Sequence, residues 1–154
     1  MGSLPALRLS LSRSSYSSLT PLRSGAFPLQ LRMASSVAAR FAEGENAQQL
    51  ASDTQTLQQQ GWKLDSEGMG VTKTFHFKSY FKATSFVSMI AAESSAKKHH
   101  PTMTLRIGSV DVHWTTHNPR GLTNKDITMA QHCDNGAGLI GAVDSGQGLK
   151  CGPP

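Results

Sequence analysis

The chain has 154 residues, a formal net charge of +5 and 38% hydrophobic residues, a length that suits one domain. The excess charge lies entirely in the first 42 residues, which hold five arginines, ten serines, no lysine and no acidic residue; from Glu43 onward ten acidic residues balance ten basic ones. A neutral remainder argues against the basic surface that direct nucleic-acid binding requires. No apolar run approaches the roughly 18–20 residues of a membrane-spanning helix.

Residues 1–42 have the Arg- and Ser-rich, acid-free composition of an organellar transit peptide, and Leu4, Leu7, Arg8 and Leu11 suit a short amphipathic turn. A mitochondrial address is expected, with a plastid one as the alternative. Met33, followed by ASSVAARF, offers an internal start for a cytoplasmic form, and the same composition also reads as a disordered leader with no address. The folded domain is expected over residues 43–137, and 138–154 reads as a Gly-rich flexible tail. Cys133 and Cys151 form no motif and read as free thiols of a reducing compartment.

Asn46 to Gln60 has helical spacing, with Ala47, Leu50, Ala51, Thr54 and Leu57 on one side and Gly61 as the stop. Trp62 to Leu64 begins a strand, Ser66 to Gly70 is a turn, and Val71 to Lys78 alternates, so a β-hairpin is expected. Val71, Lys73, Phe75 and Phe77 share one face of it. Ser79 to Ala96 returns to helical spacing, with Phe86, Val87, Ile90 and Ala91 as its stripe.

After His99-His100-Pro101, Leu105 and Ile107 run into a turn at Gly108-Ser109. The returning strand sets Val110, Val112, Trp114 and Thr116 on one face, and Asp111, His113, Thr115 and His117 on the other. Asn118-Pro119-Arg120-Gly121 breaks it. A last helix opens at Thr123 with a capping box to Asp126, buries Ile127, Ala130, Cys133 or Asp134, and Ala137, and frays beyond Asn135. Helix-strand-strand-helix-strand-strand-helix without βαβ alternation predicts an α+β fold, a four-stranded antiparallel sheet with helices on one face.

The chemistry concentrates in the histidines, the side chains whose ordinary pKa of about 6.5 sits near neutral pH. His99 and His100 stand at the start of the second hairpin and His117 at its end. Antiparallel pairing brings those ends together, while Pro101 restricts the backbone beside them. Converging imidazoles suit general acid–base catalysis. A metal site built on His113 and His117 fails on distance, because positions four apart on a strand are separated by about 13 Å. No GxSxG elbow is present and neither cysteine lies near the histidines, which argues against a covalent nucleophile. Asp126 caps its helix and stands close enough to orient a histidine.

The stretch from roughly Leu50 to Asp134 resembles the pterin-4a-carbinolamine dehydratase family, whose animal members also serve as a dimerisation cofactor of a homeodomain transcription factor. The resemblance rests on Gly61-Trp62, FHFKSYFKATSFV from Phe75, HHP at His99–Pro101, TTH at Thr115–His117, GLT at Gly121–Thr123, and Asp126. It implies a lyase, needing neither metal nor cofactor, that removes water from a 4a-hydroxytetrahydropterin to give the quinonoid dihydropterin. It implies His99, His100 and His117 as catalytic residues, with Pro101, Thr115, Thr116, Asn118 and Asp126 around the pterin. A homodimer or homotetramer is expected, with no nucleic acid bound directly and no membrane.

Where the family usually carries an acidic residue and then an aromatic after HHP, this chain has Thr102 and Met103. Ile107 stands where an aromatic is common, and Ser95 where an acidic residue is. Glu93 does not substitute for the latter, being turned about 200° away on a helix, whereas Met103 offers a soft apolar surface to a pterin face. These departures favour the alternative of a non-catalytic oligomeric binding protein; the leader counts against a nuclear role.

Overall fold

A computed structural model describes residues 37–150 and Gly152. The leader reading of residues 1–36 and the thiol of Cys151 fall outside the described residues.

Helix α1 (Ala47–Gln59) starts at Asn46, whose side chain accepts the Gln49 N–H at 3.2 Å. It buries Leu50, Thr54 and Leu57. Ala47 and Ala51, expected on the same side, are exposed; Ala51 stands about 100° round the helix from Leu50. Gly61, at φ +93°, makes the left-handed exit. Strand β1 (Lys63–Leu64) pairs with β2 (Gly70–His76), setting Lys63 opposite Thr72 and Leu64 opposite Val71. As expected from alternation, Val71, Phe75 and Phe77 are buried.

Helix α2 (Tyr80–Lys97) is capped by Ser79, and its buried line is Ala83, Phe86, Ile90 and Ser94. The expected stripe is therefore corrected: Val87 is half-buried and Ala91 exposed, because both stand one residue round from that line. Lys98 ends the helix in the left-handed conformation, φ +50°, and turns the chain so that the His99 N–H reaches Ser94 O at 3.1 Å.

Strand β3 (Thr102–Arg106) pairs with β4 (Ser109–His117), with Thr102 opposite His113 and Arg106 opposite Ser109. The turn is therefore Ile107–Gly108, one residue earlier than expected, and Ile107 is not in the strand. The expected break after His117 is a tight return instead. Strand β5 (Arg120–Gly121) folds back on β4, pairing Arg120 with His117 and Gly121 with Thr116.

Helix α3 (Asn124–Ile140) does not fray at Asn135. Gly136 is buried against α2, where a Cβ would lie 2.1 Å from Met89 Sδ, so this glycine admits a close helix–helix approach and does not mark a loose end. Beyond Ile140 the Val143 N–H bonds His76 O at 2.9 Å and the Leu149 N–H bonds Phe77 O at 2.8 Å. The folded unit also begins before Glu43: Arg40 N–H donates to Gly68 O at 2.7 Å, and Ala42 N–H to Leu122 O at 3.0 Å.

The sheet order is β1-β2-β4-β3, with β5 attached to β4. The helices pack on one face, α3 touching β2, β4 and both other helices, around a core that includes Trp62, Phe75, Phe77, Phe86, Val112 and Trp114. This is the α+β architecture expected. The opposite, outer face is polar, with Lys63, Thr72, His113 and Thr102 forming one row across four strands.

Candidate active site

The register decides which way each histidine faces. Cross-strand partners share a face. Continued past Thr102 and His113, the β3–β4 register sets His100 opposite Thr115 and His99 opposite Thr116. His99 agrees with this placement: it turns toward the helices and only 9% of it is exposed. Its ring stacks on Trp114 with centroids 5.2 Å apart and planes at 24°, and its Nε2 lies 2.7 Å from Asp126 Oδ1.

Asp126 is fully buried and is satisfied from several sides. Its Oδ2 accepts from Thr116 Oγ1 at 2.9 Å, from Thr123 N–H at 2.8 Å and from Thr123 Oγ1 at 2.9 Å. The Thr123 N–H bond is the returning half of the capping box. A carboxylate that only accepts assigns the hydrogen to Nε2 of His99. The expected capping carboxylate is thus also a histidine anchor.

His117, one residue beyond Thr116, points by strand alternation to the outer face, as does His100 by the continued register. Both are exposed, as is Asn118. Diagonal neighbours on adjacent strands stand about 7–8 Å apart, within reach of a single small heterocycle. Between them on the same face is Thr115, half-buried, its Oγ1 donating to Met69 O at 2.9 Å. Pro101 is half-buried.

The structure thus divides the expected trio. His99 and Thr116 belong to the buried network on the inner face, whereas alternation and the continued register assign the exposed His100 and His117 to the outer one. Met103 pairs with Val112 and packs on the core, so it lies on the inner face. Ile107 is at the far turn of the hairpin.

His113 was singled out in the sequence only as half of a failed metal pair. In the structure its Nε2 lies 3.0 Å from Asp65 Oδ2. Burial by itself would raise the Asp65 carboxyl, but the bond from His113 and the Met69 and Glu67 N–H groups outweigh it and hold that carboxyl below its usual range. Only contact between residues 48 apart in the sequence reveals this pair. Among the described residues no group of three or more His, Cys, Asp or Glu side chains is arranged to hold a metal ion. A cleft of about 440 Å³, lined along Lys73–His76 of β2 and by the end of α3, contains none of His99, His100, His113 and His117.

An antiparallel sheet backed by three helices on one face, with imidazoles at the mouth of its second hairpin, defines the class as an α+β protein of pterin-dehydratase type. The sequence profile of the pterin 4 alpha carbinolamine dehydratase family matches residues 43–136, and the chain belongs to that family. A Xanthomonas campestris relative, provisionally named a pterin-4-alpha-carbinolamine dehydratase, is 34% identical over 70 residues, 46% of this chain and 59% of the relative. The match therefore spans about three-fifths of that relative's length. A Rhodospirillum rubrum relative with the same provisional name is 32% identical over 84 residues, 54% of this chain and 88% of its own. Among solved structures, a Brucella melitensis protein described as a transcriptional coactivator/pterin dehydratase superimposes with a TM-score of 0.55 at 27% identity, covering 60% of this chain and 96% of that one.

Proposed function

We propose that this protein dehydrates 4a-hydroxytetrahydropterins to quinonoid dihydropterins, with His100 and His117 as the acid–base pair. Departure of the 4a-hydroxyl needs one proton delivered to the leaving oxygen and one removed from a ring nitrogen. Two exposed imidazoles on one face, set diagonally across β3 and β4, are suited to that exchange, each contributing roughly 10²–10⁴-fold. This outer face, common to His117 by alternation and to His100 by the continued register, supports the reading. His99, with its Nε2 committed to Asp126, positions the loop that presents His100. Thr115 and Asn118 line the pterin, and Pro101 holds the mouth rigid. The protein acts as a homodimer or homotetramer on a small-molecule substrate, in an organelle if the leader is an address.

The test is dehydration of a 4a-hydroxytetrahydropterin by wild type, His100→Ala and His117→Ala. Losses of at least about tenfold in each variant are expected. Rates equal in all three and no faster than the uncatalysed reaction would leave a binding role instead. That second reading is favoured by two exposed apolar side chains on the helical layer, Phe81 at 78% and Leu139 at 90% exposure, which a protein partner could cover.

A further inference from the structure

The outer face carries a third imidazole beside His100 and His117. His113 stands two residues before Thr115 on β4, so His100, opposite Thr115 in the continued register, is a diagonal neighbour of His113 as well as of His117. Three imidazoles therefore surround Thr115: His113 and His117 along its own strand and His100 across from it. The buried His99 is not one of them.

His113 is held firmly. Its Nε2 lies 3.0 Å from Asp65 Oδ2, while Asp65 Oδ1 accepts the N–H groups of Glu67 and Met69 at 3.1 and 3.0 Å. Gly70 leaves the room for this pair: a Cβ there would lie 2.5 Å from His113 Nε2 and 2.6 Å from Asp65 Oδ2. Because Gly70 lies on β2 opposite Thr115, the His113 ring leans across onto β2 and one row along the sheet, to the level of Thr115. That lean leaves about 7 Å along the strand between this imidazole and that of His117, the span of two residues and of a bicyclic heterocycle. The same turn presents Met69 O to Thr115 Oγ1 at 2.9 Å, and Glu67 pairs with Arg120, the residue opposite His117, at 2.7 Å. The Asp65–Gly70 turn therefore forms the wall of the outer site.

We propose that His113, oriented by Asp65, is a substrate-recognition residue of this site that accepts a hydrogen bond at Nδ1 from the amino edge of the pterin's pyrimidine ring. The acceptor-only carboxylate takes the Nε2 hydrogen. A neutral ring then offers a lone pair at Nδ1, the complement of an aromatic amine and a poor match for a carbonyl. The assignment rests on the dehydratase reading: His100 and His117 meet the reacting edge, and His113 meets the opposite edge of the same ring.

The experiment measures equilibrium binding at about pH 8, above the ordinary histidine range. The probes are a dihydropterin and its analogue with a carbonyl in place of the amino group, tested on wild type, His113→Phe and Asp65→Asn. His113→Phe should weaken the dihydropterin about tenfold and leave the analogue unchanged. Asp65→Asn, which frees the tautomer but keeps the ring, should weaken it by less. An unchanged dihydropterin affinity, or equal loss for both ligands, in either variant that melts cooperatively overturns the assignment of His113 alone. A wild type that binds neither ligand overturns the dehydratase reading with it.

Discussion

Two histidine–aspartate pairs lie on opposite faces of the same strand and differ in what surrounds them. On the inner face His99 and Asp126 are closed in by Trp114, Thr116 and Thr123. On the outer face His113 and Asp65 are about a third and a fifth exposed and sit next to the exposed His100 and His117. Identical chemistry thus serves two ends. Buried, the pair fixes where a loop leaves a helix and where another helix begins; half-exposed, it holds an imidazole ready for a ligand.

The comparison makes its largest prediction on stability. Asp126→Ala removes the acceptor of a buried histidine and of three further donors. It should cost about 3 kcal/mol and lower Tm by more than about 10 °C. His117→Ala should lie within about 0.5 kcal/mol of wild type while reducing turnover. Calorimetry on both variants decides; similar Tm losses would erase the distinction between the faces.

A smaller effect concerns acid. Burial would raise the carboxyls of Asp65 and Asp111, but hydrogen bonds from His113, Met69 and Glu67 to the first, and from Arg106 and Thr74 to the second, leave both below their usual range. Their folded values lie under the unfolded one, so the stability they contribute is complete above about pH 4. It drains away as the pH falls through the lowered folded values. Urea midpoints should therefore drop below that pH in wild type and drop less steeply in Asp65→Asn. Parallel acid limbs would show that the outer pair adds nothing to folding.

The smallest effect is chemical. Burial, reinforced by the charge of Asp134, pushes the Cys133 thiol up to about 12. Alkylation of Cys133 at about pH 8, followed peptide by peptide, should run at least about a hundredfold slower in the native protein than in denaturant. Ready labelling would mean that the inner layer opens far more often than its packing implies.

Much of this was legible in the chain. Alternation over Val110 to His117 fixed Trp114 on one side and His113, Thr115 and His117 on the other, because a strand has no other way to place successive side chains. The capping box at Thr123 and Asp126 is a local signal that the structure bears out, as is the burial of Phe86 and Ile90 on α2, though not of Val87 and Ala91 beside them. Weak or composite local signals leave the structure undetermined. Gly136 and Gly138 resemble a helix end, yet the helix continues through both, with Gly136 packed on Met89.

The order of elements, the face of each β4 residue and the family were set by the sequence, since they depend on neighbours a few positions apart. The tertiary structure alone decided that His99 turns inward while His100 shares the outer face with His117. That outcome follows from a left-handed residue at Lys98 and a carboxylate 27 residues downstream. It alone brought Asp65 to His113, because the space for that contact is the missing side chain of Gly70 on a neighbouring strand. Local spacing carries no information about which distant group will fill such a gap.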